Sequence, residues 1–329
     1  MQGRACAPAN QNHALLMSRS SLSSSLDEIR SAGKYQRSRL RMGVLFTLPA
    51  ILILLAVLAY PIISSFILSF QEVRLEFGGI VTEFIGVENY ARIFQDAAFR
   101  NALYNSIYFT FVEVFAVTIL SLGLALILNH PRGRPAIYRV ILLIPWALAP
   151  VANAVLWKWI YNANYGVLNA IVVGLGLSEL PIVWLGSPFL ALNMILIADV
   201  WKAIPFITLL LLAGLQNIPV RLYKAALMDG ATSWQQFIHV TLPGLRTTLI
   251  ISIVLQSIWA LKVFDLVFVL TKGGPADGTV LLNFLSWRVT FNYLDIGYGA
   301  AIANVLFVLM LLLALAYIRS LRPRSSARK

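Results

Sequence analysis

Two ionisable pairs lie inside long apolar stretches of this 329-residue chain: Asp199 with Lys202 in Phe189 to Leu215, and Lys262 with Asp265 in Leu249 to Leu270. Glu113 is the one charge in a third stretch, Asn101 to Asn129. Charges in hydrocarbon are costly, so such residues face a bundle interior or a polar cavity and mark a solute path by default. Each pair is spaced i, i+3 and shares a helical face, which suits either an internal ion pair or contact with a solute. Glu113 has no partner in its own stretch and needs one from another helix. Gln256, Ser257 and Trp259 in the fifth stretch and Asn304 in the sixth add amide, hydroxyl and indole groups. Amides both donate to and accept from hydroxyls, and flat aromatic faces stack on the apolar side of a sugar-like ring. Glu113, Asp199, Lys202, Gln256, Ser257, Trp259 and Asn304 are therefore the candidate substrate path.

Other chemistries lack their residues. His13, His130 and His239 are far apart in sequence, and Cys6 is the single cysteine, so no metal-ligand cluster or disulfide framework is legible. No GxxxxGK[ST] phosphate loop occurs, and the Lys272-Gly273-Gly274 run is followed by Pro275. No catalytic residue is assigned.

The elements that must position these groups are membrane spans. The chain is 59% hydrophobic and 12% charged, where soluble domains carry about 25% charged residues. Its +12 formal charge does not read as a nucleic-acid surface, because the basic residues are spread over short segments between apolar runs. Six runs are long enough, or nearly so, to cross a bilayer as helices: about residues 42–70, 101–129, 140–157, 189–215, 249–270 and 298–318. The expected fold is an all-α membrane protein of six spans occupying 42–319. A basic polar tail, 1–41, precedes it, and a short basic tail, 320–329, follows. The first run has 29 uncharged residues, too long for the apolar part of a signal peptide.

Orientation follows from the basic residues. With the N-terminus inside, eighteen Lys and Arg fall on cytoplasmic segments and five on external ones. Both termini are then cytoplasmic, and so is Val220 to Pro243. Of the external loops, Gln71 to Arg100 is acidic and contains GVENYARIFQDAAF, a short amphipathic helix by spacing. Val167 to Leu177 is apolar but too short to span. Thr271 opens a TKGGP turn.

Val220 to Pro243 reads as two short helices. Pro219 suits a first helical turn, and Val220, Tyr223 and Leu227 share a face. Asp229-Gly230 closes the first helix. Ser233 with Gln236 fits a capping box for the second, and Pro243 marks its end.

LYKAALMDGATSWQQFIHVTLP resembles the EAA signature of permease subunits in bacterial ABC importers. Ala225, Ala226, Asp229, Gly230, Ala231, Phe237, Leu242 and Pro243 match the pattern. GVENYARIF, LLIPWALAPVANAVLWKWIYNANYGVLN and FDLVFVLTKGGPADGT are similar to the carbohydrate-type branch that includes the maltose and glycerol-phosphate permeases. The resemblance covers everything after residue 41. It implies an inner-membrane permease that pairs with a second, homologous permease subunit. It also implies two ATP-binding subunits, which use ATP and Mg, and an extracytoplasmic solute-binding protein. The chain itself would sit in lipid, hydrolyse nothing, bind no cofactor or metal, and bind no nucleic acid. The stretch would be the coupling helix between spans four and five, with Lys224, Ala225, Ala226, Met228, Asp229, Gly230, Ala231, Phe237 and Pro243 at the ATPase. Lys224 departs from the pattern, standing where the family has glutamate. An ion-coupled secondary transporter would need a relay of intramembrane acids and no such elbow. A non-transporting membrane scaffold would need no intramembrane charge.

Overall fold

The computed structural model describes residues 42–76, 79–129 and 136–321. The N-terminal tail, 1–41, residues 130–135 with Arg132 and Arg134 in the second loop, and 322–329 therefore lie outside the described residues. The chain divides into two units, Met1–Ser64 and Ser65–Lys329. In the first, helix α1 (Met42–Leu68) begins; it carries no charged residue and is long enough to span, and its last residues belong to the second unit.

The second unit opens with a departure from an all-α fold. Strands β1 (Gln71–Glu76) and β2 (Gly79–Phe84) form an antiparallel hairpin in which Gln71 faces Phe84 and Glu76 faces Gly79. Alternation of Val73, Leu75 and Ile80 with charged and polar residues favours strand here, and the hairpin keeps its backbone donors and acceptors paired. The expected amphipathic helix follows as α2 (Glu88–Gln95), with Asn89 and Ile93 buried. Asn89 Nδ2 donates to Ser69 O at 3.0 Å and Gln71 O at 3.1 Å, so α2 is tied to the hairpin base.

Helix α3 (Ala97–Leu128) is capped by Asp96, whose carboxylate accepts the Ala98 N–H at 2.8 Å. It packs along α7 (Pro188–Gln216). Between helices in lipid the hydrophobic effect gives little drive, so close approach of small residues and interhelical hydrogen bonds do the work. The α3 and α7 residues Ala102, Ser121, Ala125, Ala191 and Ala198 are accordingly fully buried. Ser121 Oγ donates across the interface to Ile204 O at 3.1 Å.

The expected third span is not one helix. α4 (Ala136–Ala147) and α5 (Pro150–Ile160) meet at 94°. Pro150 cannot donate a helical hydrogen bond and biases the residue before it to extended backbone, and Ala149 sits at φ −57, ψ 143. Five helical runs thus qualify as spans among the described residues, or six if this bent pair is one. The apolar stretch after it forms only the two-turn helix α6 (Val167–Gly174), as its length required.

α8 (Val220–Met228) and a short helix, α9 (Ser233–Gln236), make the elbow. A π-helical turn, Phe237–Thr241, joins α9 to α10 (Leu242–Leu261). Pro243 therefore does not end the second helix. It lies in the first turn of α10, and the wider turn before it, with i→i−5 bonding, accommodates the donor that proline lacks. α11 (Asp265–Leu270), α12 (Leu282–Trp287) and α13 (Ile296–Leu321) complete the unit, with a second π turn over Arg288–Asn292. α10 packs against α3, α7 and α13. At its start a side chain on Gly214 of α7 would meet Thr248 Oγ1 at 2.7 Å and Leu245 Cδ2 at 2.9 Å, so the two backbones cross with no room for a Cβ.

Candidate functional site

The bend in the third span, the middle of α7 and the end of α10 enclose a cavity of about 440 Å³. It is lined by Trp146, Asn153, Asp199, Lys202, Gln256 and Trp259, among others, and by Lys262 to Leu266 where α10 breaks. Four of the seven sequence candidates therefore meet at one place although they lie on α7 and α10. Asp199 and Lys202 share an α7 face, as their spacing requires. No ion pair joins them, nor does one join Lys262 to Asp265. The i, i+3 spacing places each pair on one face without bringing the charges into contact, and both pairs line the cavity instead.

Glu113 finds its partner on another helix. It is fully buried on α3, and Gln256 Nε2 donates to its Oε1. Asp199 is its acidic neighbour within hydrogen-bonding reach. Glu113 thus stands behind the cavity wall, reaching the lining through Gln256.

Trp259 is held edge to face by Phe206 at 5.2 Å between centroids, and Phe206 stacks on Trp146 at 5.4 Å. This gives the cavity a rigid aromatic side, the surface a ring with an apolar face requires. Buried polar atoms with no hydrogen-bond partner cluster at the opposite chemistry: Gln256 Oε1, and both Nδ2 and Oδ1 of Asn153. Buried polar groups are ordinarily paired; these three atoms are enclosed in the packing around the cavity rather than open to it.

The remaining candidates lie elsewhere. Ser257 turns its hydroxyl to Ile253 O at 2.7 Å and lines a separate apolar groove of about 600 Å³ between α3, α10 and α13. Its neighbour Gln256 faces the cavity because successive helical residues diverge by about 100°. Asn304 on α13 bonds to Ser65, donating to its carbonyl at 3.3 Å, which makes it a packing residue. Sequence reasoning missed Asn153 and Trp146. Asn153 was legible as an amide inside the apolar run of span three; Trp146 was one tryptophan among eight.

In the elbow, α8 ends in a Schellman turn. Gly230 has φ +78, its N–H donates to Leu227 O at 3.0 Å, and Ala231 N–H donates to Ala226 O at 2.9 Å. The capping box lies one residue earlier than expected. Thr232, not Ser233, accepts the Gln235 N–H at 3.3 Å, and Gln235 Oε1 accepts the Thr232 N–H at 2.8 Å. Pro219 likewise is the capping residue of α8, its ψ of 126 outside the helical range. Tyr223 and Thr241 join the two helices by a 3.0 Å hydroxyl contact. Neither α8 nor α9 buries a residue. Of the face holding Val220, Tyr223 and Leu227, only Tyr223 packs inward. Lys224, Ala225, Met228, Asp229, Gly230 and Pro243 are exposed, Met228 to 88%, and Ala226, Ala231 and Phe237 are half-buried.

Residues 97–326 match the family model of the binding-protein-dependent transport system inner membrane component. This chain belongs to that family. The permease is 40% identical over 295 residues to the trehalose/maltose transport system permease protein MalF of Thermococcus litoralis, covering 89% of this chain and 97% of that one. It is 35% identical over 283 residues to the sulfoquinovosyl glycerol transport system permease protein SmoG of Agrobacterium fabrum, covering 86% and 91%. Among solved structures, the fold is shared with a chain of a bacterial alginate ABC transporter in complex with an alginate pentasaccharide-bound periplasmic protein. That match has a TM-score of 0.72 at 22% identity and covers 86% of this permease and 93% of that chain. As a permease it is a multi-span inner-membrane protein.

Proposed function

We propose that this permease moves a sugar or sugar-like solute inward across the membrane by alternating access, driven by ATP hydrolysis in partner chains. The observation that carries the reading is the 40% identity to a trehalose/maltose permease over nearly the whole of both chains. The cavity supports it, since an aromatic wall facing amides, a carboxylate and an ammonium suits a polyhydroxylated ring. The partners are a second permease subunit, two ATP-binding subunits and an extracytoplasmic solute-binding protein, with membrane lipid around the spans.

The exposed elbow, Val220 to Pro243, is the part that docks in the ATP-binding subunits. Its Schellman turn and the Tyr223–Thr241 contact make it stiff enough to pass a displacement to α10 and α7, which line the cavity. The excess of basic residues on one side of the spans supports a cytoplasmic elbow and cytoplasmic termini. Mg and ATP belong to the partner subunits; this permease supplies the path.

The test is reconstitution of the complete complex in proteoliposomes with its binding protein and labelled maltose and trehalose. Uptake that needs ATP inside and binding protein outside is expected. Uptake that proceeds without ATP and follows an imposed proton or sodium gradient would overturn the reading in favour of an ion-coupled carrier. A complex that hydrolyses ATP but moves neither sugar would overturn the substrate class.

A further inference from the structure

Helix α10 stops at Leu261, and the chain runs without helix from Lys262 to Phe264 before α11 begins at Asp265. Asn283 of α12 pins the break, donating its Nδ2 to Lys262 O at 2.8 Å. On an unbroken helix residue 264 would point about 140° away from residue 259. Because of the break, Phe264 and Trp259 line the same cavity. Each ring belongs to its own aromatic group. Trp259 is braced by Phe206 and, through it, by Trp146. Phe264 stacks on Phe268 at 5.4 Å with 20° between the planes, and lies 5.9 Å from Phe284 and 5.6 Å from Trp287. No ring contact joins the two groups among the described residues, so the space between Trp259 and Phe264 belongs to the cavity that both line. Neither ring is enclosed: Trp259 is 36% exposed and Phe264 half-buried. Asp199, Lys202, Lys262 and Asp265 line the same space.

We propose that Phe264 is a specificity-determining residue: it gives the solute a second aromatic surface, so that the cavity takes a pyranose whose C2, C3 and C4 hydroxyls are equatorial and discriminates against epimers with an axial one. The inference rests on the proposed reading that this cavity holds a sugar. In a gluco-configured ring those hydroxyls point outward and axial C–H bonds cover both faces. The apolar faces then meet aromatic ones, and the hydroxyl rim meets the ammonium and carboxylate groups, which donate and accept hydrogen bonds. Inverting C4 or C2, as in galactose or mannose, turns a hydroxyl onto one face. Against a single aromatic wall the ring can present its other face. Between two walls that escape is closed, and the hydroxyl lies unpaired against carbon.

The test uses the complete complex in lipid nanodiscs without its binding protein, so that the binding protein's own selectivity does not enter. Radiolabelled maltose is bound and then displaced by glucose, galactose or mannose, and maltose uptake with the binding protein is measured in proteoliposomes in parallel. In the wild type, glucose is expected to displace maltose about tenfold better than either epimer. Phe264→Leu keeps an apolar side chain but loses the flat face. Its maltose binding is expected to weaken about threefold or more, and most of the preference for glucose is expected to disappear. Phe264→Tyr keeps the ring and is expected to retain both. Phe268→Leu alters the same stack outside the cavity lining and is expected to retain the preference.

Equal displacement by the three sugars in the wild type overturns this inference and leaves the sugar reading standing, as does an unchanged preference in Phe264→Leu. A preference lost equally in Phe268→Leu assigns it to packing of the stack rather than to the Phe264 face, which also overturns the inference. Maltose that is taken up in proteoliposomes but not bound by the complex alone overturns the use of this cavity. Absence of both maltose binding and maltose uptake in the wild type overturns the sugar reading and this inference with it.

Discussion

Gln256 on α10 donates its amide N–H to the carboxylate of Glu113 on α3, across 143 residues of sequence. The bond ties the helix that carries one wall of the cavity to the helix that packs along the other, α7. Both residues are almost wholly buried, Glu113 at 0% and Gln256 at 2% exposure. In a low-dielectric interior a hydrogen bond of this kind is strong, and its loss strands the surviving partner.

Replacing Glu113 by leucine should therefore destabilise the permease as well as impair it. The stranded Gln256 donor costs about 1–3 kcal/mol. A lower melting temperature of the purified complex checks this, and the Glu113→Leu/Gln256→Leu double variant should regain part of the loss, since removing both partners leaves nothing unpaired.

Lys224 puts a positive charge on the exposed face of α8, where the EAA pattern that the stretch resembles has glutamate. An exposed ion pair is worth about 0–1 kcal/mol, and the face is dominated by the apolar side chains of Leu227 and Met228, exposed to 61% and 88%. Lys224→Ala and Lys224→Glu should both retain transport within a few-fold, while Met228→Asp should weaken recovery of the ATP-binding subunits on purification. Complete loss of uptake in both Lys224 variants would show that the charge, not the shape, makes the contact.

Gly230 holds φ +78 at the end of α8. A β-branched residue in the left-handed region costs roughly 1–2 kcal/mol, and the Schellman bonds to Leu227 and Ala226 would loosen. Gly230→Val should leave the spans folded, as read by yield and circular dichroism, and lower the ratio of uptake to ATP hydrolysis. Unchanged coupling would mean that the turn is not part of the transmission.

Gly214 lies where α7 crosses α10. A Cβ would come within 2.7 Å of Thr248 Oγ1 and 2.9 Å of Leu245 Cδ2, and overpacking of this kind costs about 1–3 kcal/mol. Gly214→Leu should cut the yield of intact complex and its melting temperature more than Gly123→Leu on α3, where nothing lies within 4 Å of an added Cβ.

The sequence by itself determined the spans, the polar groups inside them and the elbow, because each is a local matter. A run of apolar residues must form a helix in lipid to satisfy its own backbone, whatever its neighbours do. Gly230 and the nearby Thr232 and Ser233 mark helix ends by short-range hydrogen bonding, so the end of α8 and the start of α9 were legible to within one residue, while the end placed at Pro243 was not, because a π turn carries α9 on into α10. The hairpin from Gln71 to Phe84 carried an alternating pattern too, but a charge-rich external segment drew attention to its acidity. The break at Ala149–Pro150 was written in the two prolines, Pro145 and Pro150, yet an unbroken apolar run concealed it.

Tertiary structure alone decided which polar residues meet. Asp199, Lys202, Gln256 and Trp259 share a cavity while Ser257, next to Gln256, faces an apolar groove and Asn304 braces Ser65. Helix rotation and crossing are set by small-residue contacts such as Gly214 against Thr248, and a rotation of one residue, about 100°, exchanges cavity for lipid. The partner of Glu113 could not be read from its surroundings in the chain for the same reason. A buried carboxylate needs a donor, but which of the distant donors it finds depends on how α3 and α10 pack.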